Sequence, residues 1–179
     1  QPIFDDVRVP ASNLIGTEGK GLSVALGTLD HSRLGVAAQA VGIAQGATDY
    51  AAAYARERKQ FGRPINEFQG LQWKLADMSI KLVAARALVY NAARSGEGSF
   101  PDMLLAAQAK VFTSESAIQV VNDALQFFGA RGYSRELPLE RMARDVRMFT
   151  IGGGTAEVLR NVVAGDPSSG HGFVTGDAV

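Results

Sequence analysis

From Gly19 to Glu57 the chain carries no proline while alanine recurs throughout. A run of that length leaves little choice but helix, because alanine is the strongest helix former and proline the usual breaker. Within it Gly35, Ala38, Gly42, Ala44 and Gly46 form a stripe of small residues. Each isolated glycine costs a helix about 1 kcal/mol, so the stripe predicts close approach of another backbone or of a ligand. The expectation is one long helix, with Asp30 the point where a break would fall. Gly62 and Pro64 supply its stop signals.

Two further apolar series have helical spacing. Phe68, Leu71, Leu75, Met78, Leu82, Ala85 and Val89 alternate by threes and fours, as do Leu104, Ala107, Val111, Ser114, Ile118, Val121, Leu125 and Phe128. Gly96, Gly98 and Pro101-Asp102 mark the turn between them, and Gly129 and Gly132 close the second. Shorter helices are expected from Leu139 to Met148 and from Thr155 to Ala164. Long helices joined by short turns predict an all-α, antiparallel four-helix-bundle-type domain. Ile3, Phe4, Val7 and Val9 before Pro10 read as a short remnant β-strand at the N-terminus. The expected division is 1–17 as remnant strand and linker, 18–164 as the helical domain, and 165–179 as a loose, turn-rich tail. A chain that opens on a lone strand is expected to be a piece of something longer.

Composition narrows function. Eighteen basic residues balance eighteen acidic ones, which gives no electrostatic reason to expect nucleic acid or an anionic membrane as partner. No apolar run reaches the length of a membrane span. The chain has no cysteine, which excludes disulfides and thiolate metal sites and fits a cytoplasmic setting. Its two histidines, His31 and His171, lack metal-site spacing, so no metal is expected.

Local motifs are sparse. Gly16 to Gly21 resembles a phosphate loop only loosely, since Gly21 stands where Ser or Thr is required. Asp30-His31-Ser32 has the residue types of a hydrolase triad, yet neighbours on a helix point in different directions. Ile151-Gly152-Gly153-Gly154-Thr155 precedes a helix; it is either a turn capped by Thr155 or a set of free N–H groups for an anionic ligand. Arg56, Arg58, Lys59 and Arg63 surround Phe61, as a solvated helix end or as an anion clamp with an aromatic wall.

Taken in order, several segments resemble the acyl-CoA dehydrogenase family. They are Phe4-Asp5-Asp6-Val7-Arg8-Val9-Pro10, Glu57-Arg58-Lys59-Gln60-Phe61-Gly62, Phe68-Gln69-Gly70-Leu71-Gln72, Leu75-Ala76-Asp77-Met78, Gln126 to Tyr133, Pro138-Leu139-Glu140-Arg141 with Arg144-Asp145, and Gly154-Thr155-Ala156-Glu157. The resemblance covers the chain to about Ala164. It implies the helical C-terminal domain of a flavoprotein in fatty acid metabolism, with FAD as cofactor and acyl-CoA as substrate. It further implies electron-transfer flavoprotein or a similar acceptor, and a homo-oligomer, dimer or tetramer. By the same analogy Arg58, Phe61 and Gln69 would meet FAD near its diphosphate and adenosine. Gln126, Gly129 and Ala130 would reach FAD held by a neighbouring subunit, and Thr155 and Glu157 would face its adenine end. Asp30 and Arg33 would lie where the acyl-CoA enters.

Two departures bear on catalysis. The family's catalytic glutamate usually stands directly before the Gly-Thr pair, where this chain has Gly153. Some members carry it on the first long helix, where this chain has Ser32. A third departure is Ala130 in place of the second loop glycine. The leading expectation is α,β-dehydrogenation of an acyl-CoA thioester, with the chain inactive alone and its base not located. The alternative is a non-catalytic FAD-holding or assembly domain paired with a competent partner. A flavin monooxygenase or nitroalkane-oxidising relative is a weaker third.

Overall fold

The computed structural model describes residues 1–96 and 100–165. Gly98 of the expected turn, and the tail beyond Gly165, lie outside the described residues. Helix α1 (Gly21–Glu57) leads through a small hairpin, β1 (Lys59–Gln60) and β2 (Arg63–Pro64), into α2 (Gln69–Arg94) and α3 (Met103–Phe128). A single turn, α4 (Ala130–Tyr133), and two short helices, α5 (Leu139–Met148) and α6 (Ala156–Gly165), complete the order. The all-α bundle is as the spacing predicts. Helix α3 packs on α1, α2, α4, α5 and α6, so it is the axis of the domain.

Each boundary has a local cause. Asp102 caps α3 by accepting a hydrogen bond from the Leu105 N–H at 2.8 Å. Gly129, with φ 54° and ψ −133°, ends it in a conformation that side chains disfavour. Helix α1 passes Asp30 unbroken, because the Asp30 carboxylate pairs with Arg33 one turn on instead of competing for the backbone. The core joins Ala40, Ala44, Ala47, Ala51 and Ala55 of α1 to Met78 and Leu82 of α2, Val120, Val121 and Phe127 of α3, and Leu139 and Val146 of α5.

One expectation is corrected. No strand forms between Ile3 and Pro10; those residues are exposed and have no partner to pair with among the described residues. Within the chain itself the glycines of α1 make no close contact. Gly35, Gly42 and Gly46 face outward, and a Cβ on any of them would meet nothing within 4 Å. The alanines on the opposite side make the tight contact. Glycine is required elsewhere: a Cβ on Gly132 would stand 2.5 Å from the Leu125 carbonyl oxygen.

These positions predict opposite outcomes for one substitution. Gly35→Ala should stabilise the domain by about 0.5–1 kcal/mol, as expected for an unhindered helical site. Gly132→Ala should destabilise it by about 1–3 kcal/mol through overpacking. Urea unfolding of both variants measures the two signs.

Candidate cofactor and substrate site

The end of α1 and the end of α3 meet around an open cleft of about 430 Å³. Its lining includes Tyr54, Arg58, Gln126, Gly129, Ala130 and Arg131. The Arg58 backbone is tied at both ends, its N–H donating to Tyr54 O and its carbonyl accepting from Ile65 N–H, each at 2.8 Å. The side chain itself is exposed. Tyr54 stacks on Phe128 with centroids 4.0 Å apart, and the Arg131 guanidinium lies 5.9 Å from the Tyr54 ring. Two guanidinium groups against an aromatic wall make a surface suited to an anionic, ring-bearing ligand.

Phe61 stands beside this cleft, at the tip of the hairpin. Phe61 and Gly62 both have positive φ, 50° and 83°, as a two-residue turn of this kind demands. The left-handed region costs a side chain about 1–2 kcal/mol, and the Phe61 ring is 86% exposed. Arg63 lies over the Phe68 ring at 4.2 Å, and Phe61 meets that ring edge-on. An exposed aromatic residue held in a strained conformation is not explained by folding, which points to contact with a ligand. Gln69 opens α2 and is exposed, outside the cleft lining.

A second cluster gathers under the glycine loop. Arg33 on α1 is 6% exposed; its Nε donates to Gly153 O at 3.1 Å and its guanidinium pairs with Asp30. Lys110 on α3 is fully buried and its Nζ donates to Gly154 O at 2.6 Å. Burial first, then the Arg33 charge, push the Lys110 ammonium below its ordinary 10.5, with Glu157 opposing. Two cations from two helices thus grip consecutive carbonyls of a loop whose glycines have φ 70° and 96°. Thr155 caps α6 by accepting from the Val158 N–H at 3.2 Å. The Glu157 carboxyl is held below the usual carboxylate range by its own backbone N–H and then by the Thr155 hydroxyl. Ser32 is exposed and donates to Leu29 O at 3.1 Å.

The structure therefore brings Arg58, Gln126, Gly129 and Ala130 around one cleft. It brings Asp30, Arg33, Gly153 and Thr155 around the other cluster. Among the described residues no group of three potential ligands could hold a metal ion. No helix there is long and apolar enough to cross a membrane. Lys110, Tyr54 and Arg131 escaped the sequence reading. Lys110 did leave a signal: it follows Ala107 by three and precedes Ser114 by four, placing a cation on the apolar seam of α3.

Residues 19–166 match the family described as acyl-CoA dehydrogenase, C-terminal domain, and the chain belongs to that family. It is 57% identical over 165 residues to a 3-sulfinopropanoyl-CoA desulfinase of Paraburkholderia xenovorans, covering 90% of this chain and 42% of the relative. It is 47% identical over 163 residues to a short-chain specific acyl-CoA dehydrogenase of Clostridium acetobutylicum, covering 91% and 43%. Among solved structures, butyryl-CoA dehydrogenase from Megasphaera elsdenii superposes with a TM-score of 0.88 at 48% identity, over 91% of this chain and 43% of that one. The chain spans about two-fifths of the length of the curated relatives it matches.

Lys110→Met removes the donor to Gly154 O and should cost about 1–3 kcal/mol at neutral pH, because a half-buried carbonyl loses its partner. Between the lowered folded value and the unfolded 10.5, the unfolded chain binds more protons at residue 110 than the native one. The unsubstituted chain should therefore gain stability over Lys110→Met as pH rises through that window. Unfolding curves at neutral and alkaline pH read the changing difference. At the hairpin, Phe61→Asn should leave the domain equally stable or stabilise it by about 1 kcal/mol, since Asn tolerates left-handed φ. In the full-length protein the same change should weaken flavin binding, measured by fluorescence titration.

Proposed function

We propose that this domain serves a flavoprotein that acts on an acyl-CoA thioester without removing an α-proton, releasing a sulfinate group as sulfite. The observation that carries this reading is Gly153. The family's usual base position holds a glycine at φ 70°, where a side chain would be strained by about 1–2 kcal/mol although a Cβ there meets nothing within 4 Å. The neighbouring carboxylates are poor substitutes. Asp30 is committed to Arg33, and Glu157 is made a weaker base by the same hydrogen bonds that lower its pKa. Dehydrogenation needs a carboxylate within hydrogen-bond reach of the α-carbon. Hydrolytic desulfination does not: the C–S bond breaks, water oxygen joins sulfur to give hydrogensulfite, and a proton goes to carbon. The reaction is balanced without an external oxidant, so electron-transfer flavoprotein is not required. The 57% identity to a 3-sulfinopropanoyl-CoA desulfinase supports the same choice.

The family is one of flavoproteins, and the cleft at Arg58 fits part of FAD. Its guanidinium groups suit the diphosphate, and the stacked Tyr54 and Phe128 offer a wall for adenosine. Bound flavin would supply the redox-active ring that defines the family's chemistry. Arg58 would bind the diphosphate, the Gln126 loop would close over it, and Arg33 with Lys110 would orient the glycine loop toward the thioester. An open cleft of about 430 Å³ encloses only a portion of a dinucleotide, so a second subunit would complete the site.

The second reading is ordinary dehydrogenation with a base from outside this chain. The relatives named as short-chain acyl-CoA and butyryl-CoA dehydrogenases favour it. Rapid mixing of the FAD-loaded, full-length protein with butyryl-CoA and with 3-sulfinopropanoyl-CoA separates the two. The expected outcome is sulfite from the second compound and no bleaching of the flavin by the first. Bleaching by butyryl-CoA at ordinary enzyme rates, about 1–1000 per second, with no sulfite formed, would sink the desulfinase reading.

A further inference from the structure

Among the described residues only two charged side chains are buried, Arg33 and Lys110, and both end at the same loop. Arg33 reaches Gly153 O from α1 at 3.1 Å, and Lys110 reaches Gly154 O from α3 at 2.6 Å. One carboxylate, Asp30, is largely enclosed with them and pairs with Arg33. Glu157, whose charge also reaches Lys110, stands exposed in the first turn of α6, where water screens it. Two enclosed cations against one enclosed carboxylate leave a positive charge without a partner. An unbalanced charge in such a setting costs several kcal/mol. Balance comes either from within, by loss of the Lys110 proton, or from outside, by an anion.

The loop shows where an anion fits. Its peptide bonds are trans, so a carbonyl aimed at a cation turns the N–H of the next residue the opposite way. The N–H groups of Gly154 and Thr155 accordingly face away from Arg33 and Lys110. Neither donates to a backbone carbonyl among the described residues. A Cβ on Gly153 would meet nothing within 4 Å, so the loop borders open space. Each cation polarises the peptide it grips, and that polarisation strengthens the donor on the far side. Water at the loop would satisfy those donors, but it would leave the enclosed charge unbalanced.

We propose that the space over Gly153 receives the anionic end of an acyl group, a sulfinate or carboxylate on the β-carbon of a CoA thioester, with Arg33 and Lys110 as its counter-charge. This subsite rests on the proposed function in taking an acyl-CoA thioester as ligand, and adds the residues that select an anionic acyl group over a neutral one. Gly153 acts by leaving the space, and the two cations by their charge.

Two thioesters of nearly equal size test it on the full-length, FAD-loaded protein. Succinyl-CoA carries a carboxylate on the β-carbon, and its amide, succinamoyl-CoA, carries no charge on the acyl group. Titrations followed by flavin absorbance should find succinyl-CoA bound about tenfold tighter or more, as a hydrogen bond to a charged group contributes. Gly153→Asp places an internal carboxylate in the space, on a residue type that tolerates left-handed φ, and should bring the two dissociation constants together. Lys110→Met removes one cation and should reduce the preference severalfold. Equal dissociation constants in the unsubstituted protein overturn the proposal and leave the charge to be balanced by loss of the Lys110 proton. A preference that persists in Gly153→Asp also overturns it, whether or not Lys110→Met folds, because the anion is then held elsewhere. Sulfite release from 3-sulfinopropanoyl-CoA is scored separately. Its absence beside an intact, Gly153-dependent preference sinks the desulfinase reading and supports the subsite.

Discussion

The contact between α1 and α3 sets the terms for the rest of the molecule. Ala40, Ala44, Ala47, Ala51 and Ala55 present almost no side-chain bulk, so α3 comes close along the whole length of the contact. Close approach excludes water from the α3 face, and any polar group on that face must then find a protein partner. Lys110 is the extreme case. A buried, unpaired ammonium would cost several kcal/mol, and its one hydrogen bond to Gly154 O ties that cost to the loop before α6. The packing of the bundle and the shape of the glycine loop are thereby one problem. A change that loosens α3 also releases the loop.

The loop carries the chemical consequence. Arg33 and Lys110 turn two consecutive carbonyls toward the bundle, which requires the left-handed backbone that Gly153 and Gly154 adopt. A carboxylate placed at residue 153 would have to accept that strain or shift the loop off its two cations. Under the proposed function, the lack of a base at residue 153 would then be reinforced by the backbone conformation there as well as by the missing side chain. Under the proposed function the positive field of Arg33 and Lys110 also favours an anionic acyl group over a neutral one.

Helix identity was legible because burial on one face imposes a period of three and four, and the apolar series of α2 and α3 match their observed spans. The strand expected near Ile3 was not legible, since strand formation depends on a partner and not on alternation alone. The glycines of α1 lie off the face that α3 covers: a small residue permits close approach but does not say which face of the helix the rest of the chain will cover. At the site, Arg58 and Gln126 are far apart in sequence and nothing in their spacing joins them; only resemblance to a known family did. Lys110 was visible as a cation on an apolar seam, yet most surface-pattern reasoning assigns lysine to solvent. The positive φ of Phe61 follows from the two-residue hairpin turn, which an unaligned sequence leaves ambiguous with a helix end.

What the domain leaves exposed bears on how its site can work. Phe61 at the hairpin tip, and Trp73, Ile80, Val83 and Tyr90 along α2, are large apolar groups on the stretch of chain that leads out of the cleft at Arg58. Exposed apolar patches of this kind mark surfaces that another protein surface covers. The electrostatics point the same way. A guanidinium facing open water interacts weakly with a diphosphate, because the high dielectric screens it, and Arg58 faces a cleft open to solvent. Covering the cleft would lower the local dielectric and strengthen that contact without adding a single hydrogen bond. Under the proposed function, cofactor affinity and assembly would be coupled through desolvation: whatever covers the surface around Phe61 and Arg58 would raise the affinity for the flavin, and bound flavin would in return favour the covered state by the same free energy.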